Sequence, residues 1–170
     1  MTKILVIEDE AGVRDSLVDI LNAEDFIVDS AVNGQEGLLQ IRDFHPDLVI
    51  CDVMMPVLDG YGVLEQVRQD PELATLPFVF LTAKAGRDDF RSGMDLGADD
   101  YLTKPFTHDD LLRMIRTRLG VHQAAEAQAK SQLDTLRSSI TTALPRELGD
   151  PLREVLHLSS QLADQVHSLT

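Results

Sequence analysis

Two hydrophobic periods alternate along the first 120 residues, and few architectures accommodate both. Short apolar, β-branched runs stand at Ile4–Ile7, Phe26–Val28, Leu48–Cys51, Phe78–Leu81 and Tyr101–Leu102. Between them lie stretches with helical spacing. Val13, Leu17, Ile20 and Leu21 make one stripe; Leu38, Leu39 and Ile41 a second; Val63, Leu64 and Val67 a third; Leu111, Leu112, Ile115 and Leu119 the last. Strand followed by helix, repeated five times, predicts an α/β fold with a mostly parallel sheet. The strand runs are almost continuously apolar, as expected when helices cover both faces of the sheet. Thr107 with Asp110 three residues on has the pattern of a capping box and predicts where the last helix starts.

From Val121 the texture changes. Residues His122 to Ser139 are rich in Ala, Gln and Glu, all good helix formers, and no further strand run occurs. Leu133, Leu136, Ile140 and Ala143 step by three and four, and Leu148, Leu152, Val155, Leu162, Val166 and Leu169 continue a stripe past Pro145 and Pro151. The organisation predicted is an α/β domain over 1–120 and a helical arm over 121–170. The arm's apolar stripe is expected to pair two copies as a homodimer, since the domain cannot cover all of it.

Charge and composition narrow the function. Fifteen Lys and Arg stand against 29 Asp and Glu, a net charge of −14, so binding of nucleic acid through its phosphates is disfavoured. No apolar run approaches the roughly 20 residues of a membrane span. Glu8, Asp9 and Glu10 interrupt the N-terminus where a signal peptide would need an apolar core. The single Cys51 excludes an internal disulfide and a cysteine-based zinc site. A cytoplasmic protein without nucleic acid or membrane partners is the expectation. None of the five histidines has metal-ligand spacing, and none is assigned a role.

In an open α/β sheet, ligands gather beyond the C-terminal ends of the strands. Those ends carry Glu8-Asp9-Glu10, Asp52, Thr82-Ala83 and Lys104-Pro105. Taken singly, each has a bland explanation: an Asp at a strand end is usually a cap or turn residue, Lys-Pro a turn, and Thr a good β-former. Taken together they place carboxylates, a hydroxyl and an ammonium at one edge. Close carboxylates raise one another's pKa unless a cation intervenes. Mg²⁺, or Mn²⁺ in its place, is a hard cation suited to such oxygens. A carboxylate held beside a divalent cation and a lysine can attack phosphorus, with the cations stabilising the charge on the transferring oxygens.

Several segments then carry a resemblance. Ile4-Leu5-Val6-Ile7-Glu8-Asp9-Glu10, Pro46-Asp47-Leu48-Val49-Ile50-Cys51-Asp52-Val53-Met54-Met55-Pro56, Asp59-Gly60, Leu81-Thr82-Ala83 and Gly97-Ala98-Asp99-Asp100-Tyr101-Leu102-Thr103-Lys104-Pro105-Phe106 together resemble a response-regulator receiver domain, over residues 3–119. The resemblance implies a five-stranded parallel sheet in the order 2-1-3-4-5, flanked by helices and followed here by a long C-terminal helical extension. It implies that Asp52 is the phosphoacceptor. It implies that Asp9 is a direct Mg²⁺ ligand with Glu8 its acidic neighbour, and that Met54 lends its backbone carbonyl to the metal. Thr82 and Tyr101 match the family's switch pair, Lys104 matches its phosphate-binding lysine, and the Lys104–Pro105 bond is implied to be cis. Phosphorylation would draw the Thr82 hydroxyl inward, let Tyr101 rotate, and repack the face where partners dock.

The arm carries a second resemblance. Leu136–Leu162 is similar to the first helix of a histidine-kinase dimerisation and phosphotransfer domain, chiefly through Ala143-Leu144-Pro145-Arg146-Glu147-Leu148-Gly149-Asp150-Pro151-Leu152. Glu147, Leu148, Pro151 and Leu152 fit. Arg146 stands where the phosphoryl-accepting His belongs, and Asp150 where Thr or Asn belongs. Arginine stays protonated and accepts no phosphoryl group, so the arm is expected to be inert as a kinase segment.

The expectation from sequence is therefore a response regulator of a two-component system without a DNA-binding output domain. It accepts a phosphoryl group from a cognate histidine kinase onto Asp52 and signals through protein–protein contact to an unidentified downstream partner. It is a phosphoacceptor and not an enzyme acting on other molecules. Two alternatives compete. An Asp-nucleophile phosphohydrolase commonly needs a second carboxylate two residues after the nucleophile, where Met54 stands. A constitutive dimerisation scaffold with a vestigial receiver sits poorly with intact Glu8, Asp9, Asp52, Thr82 and Lys104.

Overall fold

The structure, a computed structural model, describes residues 1–83 and 96–143, with side chains described as far as Ser139. Two compact units divide the chain, Met1–Gln123 and Ala124–Thr170. In the first, β1 (Lys3–Ile7), β2 (Ile27–Ala31), β3 (Leu48–Asp52), β4 (Phe78–Thr82) and β5 (Asp100–Thr103) form one sheet in the order β2-β1-β3-β4-β5. Every pairing is parallel. Helices α1 (Ala11–Ala23), α2 (Gly34–Phe44) and α3 (Gly60–Gln69) connect the early strands, and α4 (His108–Ala143) follows β5. The fold and strand order agree with the sequence reading.

The two-residue period of the strands builds two separate cores. Leu5, Ile7, Val49, Cys51, Phe78 and Phe80 point to one face and pack with Ile41 of α2 and Val63, Leu64 and Val67 of α3. Ile4, Val6, Leu48, Ile50, Val79 and Leu81 point to the other and pack with Leu17 and Leu21 of α1 and Leu111, Met114 and Ile115 of α4. This is why β3 and β4 read as unbroken apolar runs: every residue in each is buried.

Where sequence and structure differ, the edges of the sheet are responsible. The apolar run Phe26–Val28 pointed to a strand that in fact spans Ile27–Ala31 and includes Asp29 and Ser30. An edge strand with half-exposed residues tolerates polar side chains, so its apolar run understates its length. The same holds for β5, which extends one residue beyond Tyr101–Leu102 at each end. Leu39 does not belong to the buried stripe of α2. Ile41 is fully buried and Leu38 packs on the core, but Leu39 is 64% exposed. The buried positions Gly34, Gly37 and Ile41 keep the spacing of three and four, and Leu39 falls off that line.

The predicted start of α4 is a reciprocal capping box. The Asp110 N–H donates to Thr107 Oγ1 (3.1 Å), and the Thr107 N–H donates to Asp110 Oδ2 (3.2 Å). The Thr107 hydroxyl also donates to Asp110 Oδ2 (2.6 Å), and this bond, with the one from the Thr107 N–H, holds the Asp110 carboxyl below its usual range. Because that value is depressed in the folded state, its contribution is present above the ordinary carboxylate range and is lost as pH falls through the lowered value. Thr107→Ala is expected to cost about 1 kcal/mol near neutral pH through loss of the hydroxyl cap, and less in acid. Urea titrations of parent and variant at the two pH values measure both.

Of the second unit, α4 is described to Ala143, and Gly120 is internal to that helix. Side chains from Ala124 to Ser139 are exposed, Leu133 and Leu136 among them. The rest of the predicted stripe, the prolines Pro145 and Pro151, and the segment around Arg146 and Asp150 that resembles a kinase helix lie outside the described residues. Among the described residues no helix is long and apolar enough to cross a membrane.

Candidate functional site

Three parallel strands deliver the site. β1 ends just before Glu8 and Asp9, β3 ends in Asp52, and β4 ends in Thr82. Parallel register puts all of these ends on one edge of the sheet. Carboxylate oxygens of Glu8, Asp9 and Asp52 lie within 4.8 Å of one another. Glu8 is 1% exposed and Asp52 7%, while Asp9 is open to solvent.

Lys104 enters from the loop after β5 and binds the two buried acids at once. Its Nζ donates to Glu8 Oε2 and to Asp52 Oδ1, each at 2.7 Å. The backbone fixes this reach: the Lys104 N–H donates to the Thr82 carbonyl (2.7 Å), and the Lys104–Pro105 bond is cis. The second Asp52 oxygen accepts the Met54 N–H (3.0 Å), so both carboxylate oxygens are held.

The electrostatics follow from burial and company. Burial raises the Glu8 carboxyl above its ordinary value, and the charge of Asp52 adds to that. The hydrogen bond from Lys104 opposes both without winning. For Lys104, burial pulls the ammonium down, but the hydrogen bonds to Asp52 and Glu8 outweigh it, so it titrates above its ordinary range. A lysine whose value is raised on folding contributes stability that persists through neutral pH and is lost only as pH rises through that raised value. Cys51, one residue before Asp52, is fully buried, and burial pushes its thiol far up, so it stays protonated and unreactive.

Glu8, Asp9, Asp52 and Lys104 are thus brought together, with Met54 bonded to Asp52 through its backbone. Thr82 is buried at the end of β4 and joined to Lys104 through its carbonyl. Tyr101 packs its ring on Phe80 at 5.2 Å between centroids. Sequence reasoning missed two supports. Arg14 of α1 donates to the backbone carbonyls of Glu8 (2.9 Å) and Asp9 (3.4 Å) and so pins the acidic loop. Its place in the first turn of α1, directly after the acidic loop, is the available signal. Gly60 lets α3 start directly against the Asp52 carbonyl; a Cβ there would run into that oxygen and the Phe80 ring.

An acidic trio at the C-terminal edge of a 2-1-3-4-5 sheet, bridged by a lysine from the loop after β5, defines a receiver. The family model described as the response regulator receiver domain matches residues 4–116, and the chain belongs to that family. It is 37% identical over 151 residues to the response regulator Rre1 of Synechocystis, covering 87% of this chain and 65% of that one. It is 44% identical over 116 residues to the transcriptional regulatory protein DltR of Streptococcus agalactiae, covering 68% of this chain and 51% of that one. The chain spans about half the length of most curated relatives it matches. Among solved structures, the chemotaxis protein CheY4 of Vibrio cholerae is similar with a TM-score of 0.67 and 28% identity, covering 69% of this chain and 98% of that one. The receiver domain of the sensor histidine kinase PA1611 of Pseudomonas aeruginosa, solved with magnesium in its active-site cleft, has a TM-score of 0.66 and 27% identity, covering 70% and 98%.

Proposed function

We propose that this receiver takes a phosphoryl group from a histidine kinase onto Asp52, and that α4 and the arm beyond it carry the output to a partner protein. The observation that carries the reading is the double hydrogen bond of Lys104 to Glu8 and Asp52 beside Asp9. A carboxylate oxygen of Asp52 forms a bond to phosphorus as the phosphorus–nitrogen bond of the donor histidine breaks, and the electron pair leaves with the imidazole. Lys104 is already placed to follow the charge onto the phosphoryl oxygens. The Met54 N–H and Lys104 hold the two oxygens of Asp52 in their orientation, so little reorganisation precedes attack. Thr82 lies one strand away and donates its hydroxyl to the product, with Tyr101 following it as the second member of the switch. A phosphohydrolase reading is weaker, because Met54 offers the site a backbone N–H and no carboxylate two residues after Asp52.

Three hard carboxylate donors within reach of one point fit a divalent cation such as Mg²⁺. Asp9 and Asp52 would hold it with the Met54 carbonyl, and Glu8 would act from the inner side. When bound, it supplies positive charge against the phosphoryl oxygens. Folding stability is expected to rise with added Mg²⁺ as RT ln(1 + [Mg²⁺]/Kd), about 2.7 kcal/mol at a hundredfold excess over Kd. Asp9→Asn should remove most of that rise at little cost to the metal-free protein, because Asp9 is exposed. Thermal melts with and without Mg²⁺ decide it; a parent melting temperature indifferent to millimolar Mg²⁺ contradicts the site.

The phosphotransfer reading is tested by incubating the chain with Mg²⁺ and acetyl phosphate and reading the intact mass. One acid-labile phosphoryl group per chain is expected. We further propose that residues 121–170 form a dimerisation arm, supported by the exposed Leu133 and Leu136 on α4.

A further inference from the structure

We propose that Arg68 is a positioning residue for phosphoryl acceptance: it pins the register of β5, the strand that carries Tyr101 and delivers Lys104 to Asp52. The inference rests on the phosphotransfer reading for its activity arm only. β5 is the weakest strand of the sheet by construction. It has four residues, it lies at an edge, and it pairs with β4 alone. A ladder that short enforces register poorly, and a slip of one residue turns every side chain to the opposite face. Such a slip would take Lys104 away from the two acids it bridges.

Arg68 supplies the missing restraint from the end of the sheet remote from the acids. It lies near the C-terminus of α3 with its side chain only 19% exposed. Its three nitrogens reach three different acceptors. Nε donates to the Gly97 carbonyl (3.0 Å), Nη1 to the Leu76 carbonyl (2.8 Å) and Nη2 to Asp99 Oδ2 (3.0 Å). Leu76 belongs to the connection entering β4, and Gly97 and Asp99 to the connection entering β5. One planar guanidinium therefore sets the spacing between the starts of the two strands. Asp99 completes the lock: its Oδ2 also accepts the Phe78 N–H (2.8 Å), and its own N–H donates to the Phe78 carbonyl (2.9 Å). These bonds place Asp99 beside the first residue of β4, and the pairing Val79↔Asp100 through Thr82↔Thr103 follows residue by residue. Gly97, at φ +90°, makes room for this approach; a Cβ there would sit 3.4 Å from Arg68 Nε on a backbone that disfavours side chains. Burial lowers the Arg68 guanidinium while Asp99 opposes that shift. Lysine substitutes only in part, since it offers one nitrogen where three are used.

The test separates register from general damage. Glu8, Asp9 and Asp52 ride on β1 and β3, so these metal-binding carboxylates stay in place when β5 slips, and losing the competing charge of Lys104 cannot weaken Mg²⁺ binding, whereas the acceptance rate depends on Lys104. In Arg68→Met, the initial rate of phosphoryl uptake from acetyl phosphate at saturating Mg²⁺ is expected to fall about tenfold to a hundredfold. Mg²⁺ affinity should equal or exceed that of the parent, because the carboxylates stay in place and lose a competing positive charge. Arg68→Lys should show the same split with smaller amplitude, and serves if the Met variant does not fold. Hydrogen exchange gives a second arm independent of activity: the Lys104 amide, bonded to Thr82, should exchange faster in the variants while those of Ile4–Ile7 do not. A parental acceptance rate in both variants overturns the proposal, as does a parallel loss of Mg²⁺ affinity. If the parent takes up no phosphoryl group at all, the functional reading fails, and unchanged exchange at Lys104 then refutes the pin by itself.

Discussion

Asp52→Asn is expected to abolish the phosphodonor-dependent mass gain while leaving the fold intact. The amide has nearly the shape of the carboxylate but no charge with which to attack phosphorus, and no neighbour replaces it. Asp9 is exposed to solvent, and Glu8 is buried and bonded to Lys104. The cost to stability is small for a reason the site makes explicit. The variant weakens a charge-assisted hydrogen bond from Lys104 and the contact with the Met54 N–H, each worth roughly 1–2 kcal/mol in a partly buried site. It also removes the negative charge that raises the Glu8 carboxyl, and Lys104 keeps Glu8 as its partner. The opposed effects leave a net change of about 1 kcal/mol or less, since a relieved like-charge contact offsets a lost attractive one. Intact mass after incubation with Mg²⁺ and acetyl phosphate reads the acceptor, and a thermal melt reads the fold. Retention of one acid-labile phosphoryl group in the variant would move the acceptor elsewhere.

How much of this was visible beforehand depends on which force writes the signal. Burial writes it most plainly. β3 and β4 are covered on both faces, so each appears as an uninterrupted apolar run that changes to Asp52 or Thr82 where the strand meets the site. The acidic pair after β1 and the lysine after β5 were legible for the same reason: strand ends are readable, and parallel strands put them on one edge. What the linear sequence hides is pairing that depends on geometry. Arg14, Gly60 and Arg68 each act through backbone atoms, and a carbonyl leaves no mark on residue type. The edge strands run longer than their apolar residues because part of each faces solvent. Leu38, Leu39 and Ile41 look alike in sequence, and only the helix assigns Leu39 to the solvent face.

The arm leads to the second large expected effect. Replacing Leu133 and Leu136 together by Gln should convert a dimer into a monomer without unfolding α4. Both leucines are large, apolar and well exposed, at 58% and 59%. They step with Ile140 by three and four along one helix, the spacing of a seam that two helices share. Full burial of such a side chain is worth roughly 1.5–3 kcal/mol. About three-fifths of that remains to be gained at these positions, and a symmetric pair contributes four leucines. The sum is roughly 4–7 kcal/mol, or about three to five decades in Kd, enough to move association from below micromolar to beyond any working concentration. Gln is close to Leu in helix propensity, so the substitution tests the seam and spares the helix. A second copy is the partner expected of a self-complementary stripe, because a twofold axis lets one surface serve both sides. An apolar seam also predicts weak dependence on ionic strength, which distinguishes it from pairing through charges. Sedimentation of parent and double variant, at low and high salt and with circular dichroism to follow helicity, is the measurement. A parent chain that sediments as a monomer at tens of micromolar, on a scale where even a weak specific dimer would form, refutes the arm as a dimerisation element.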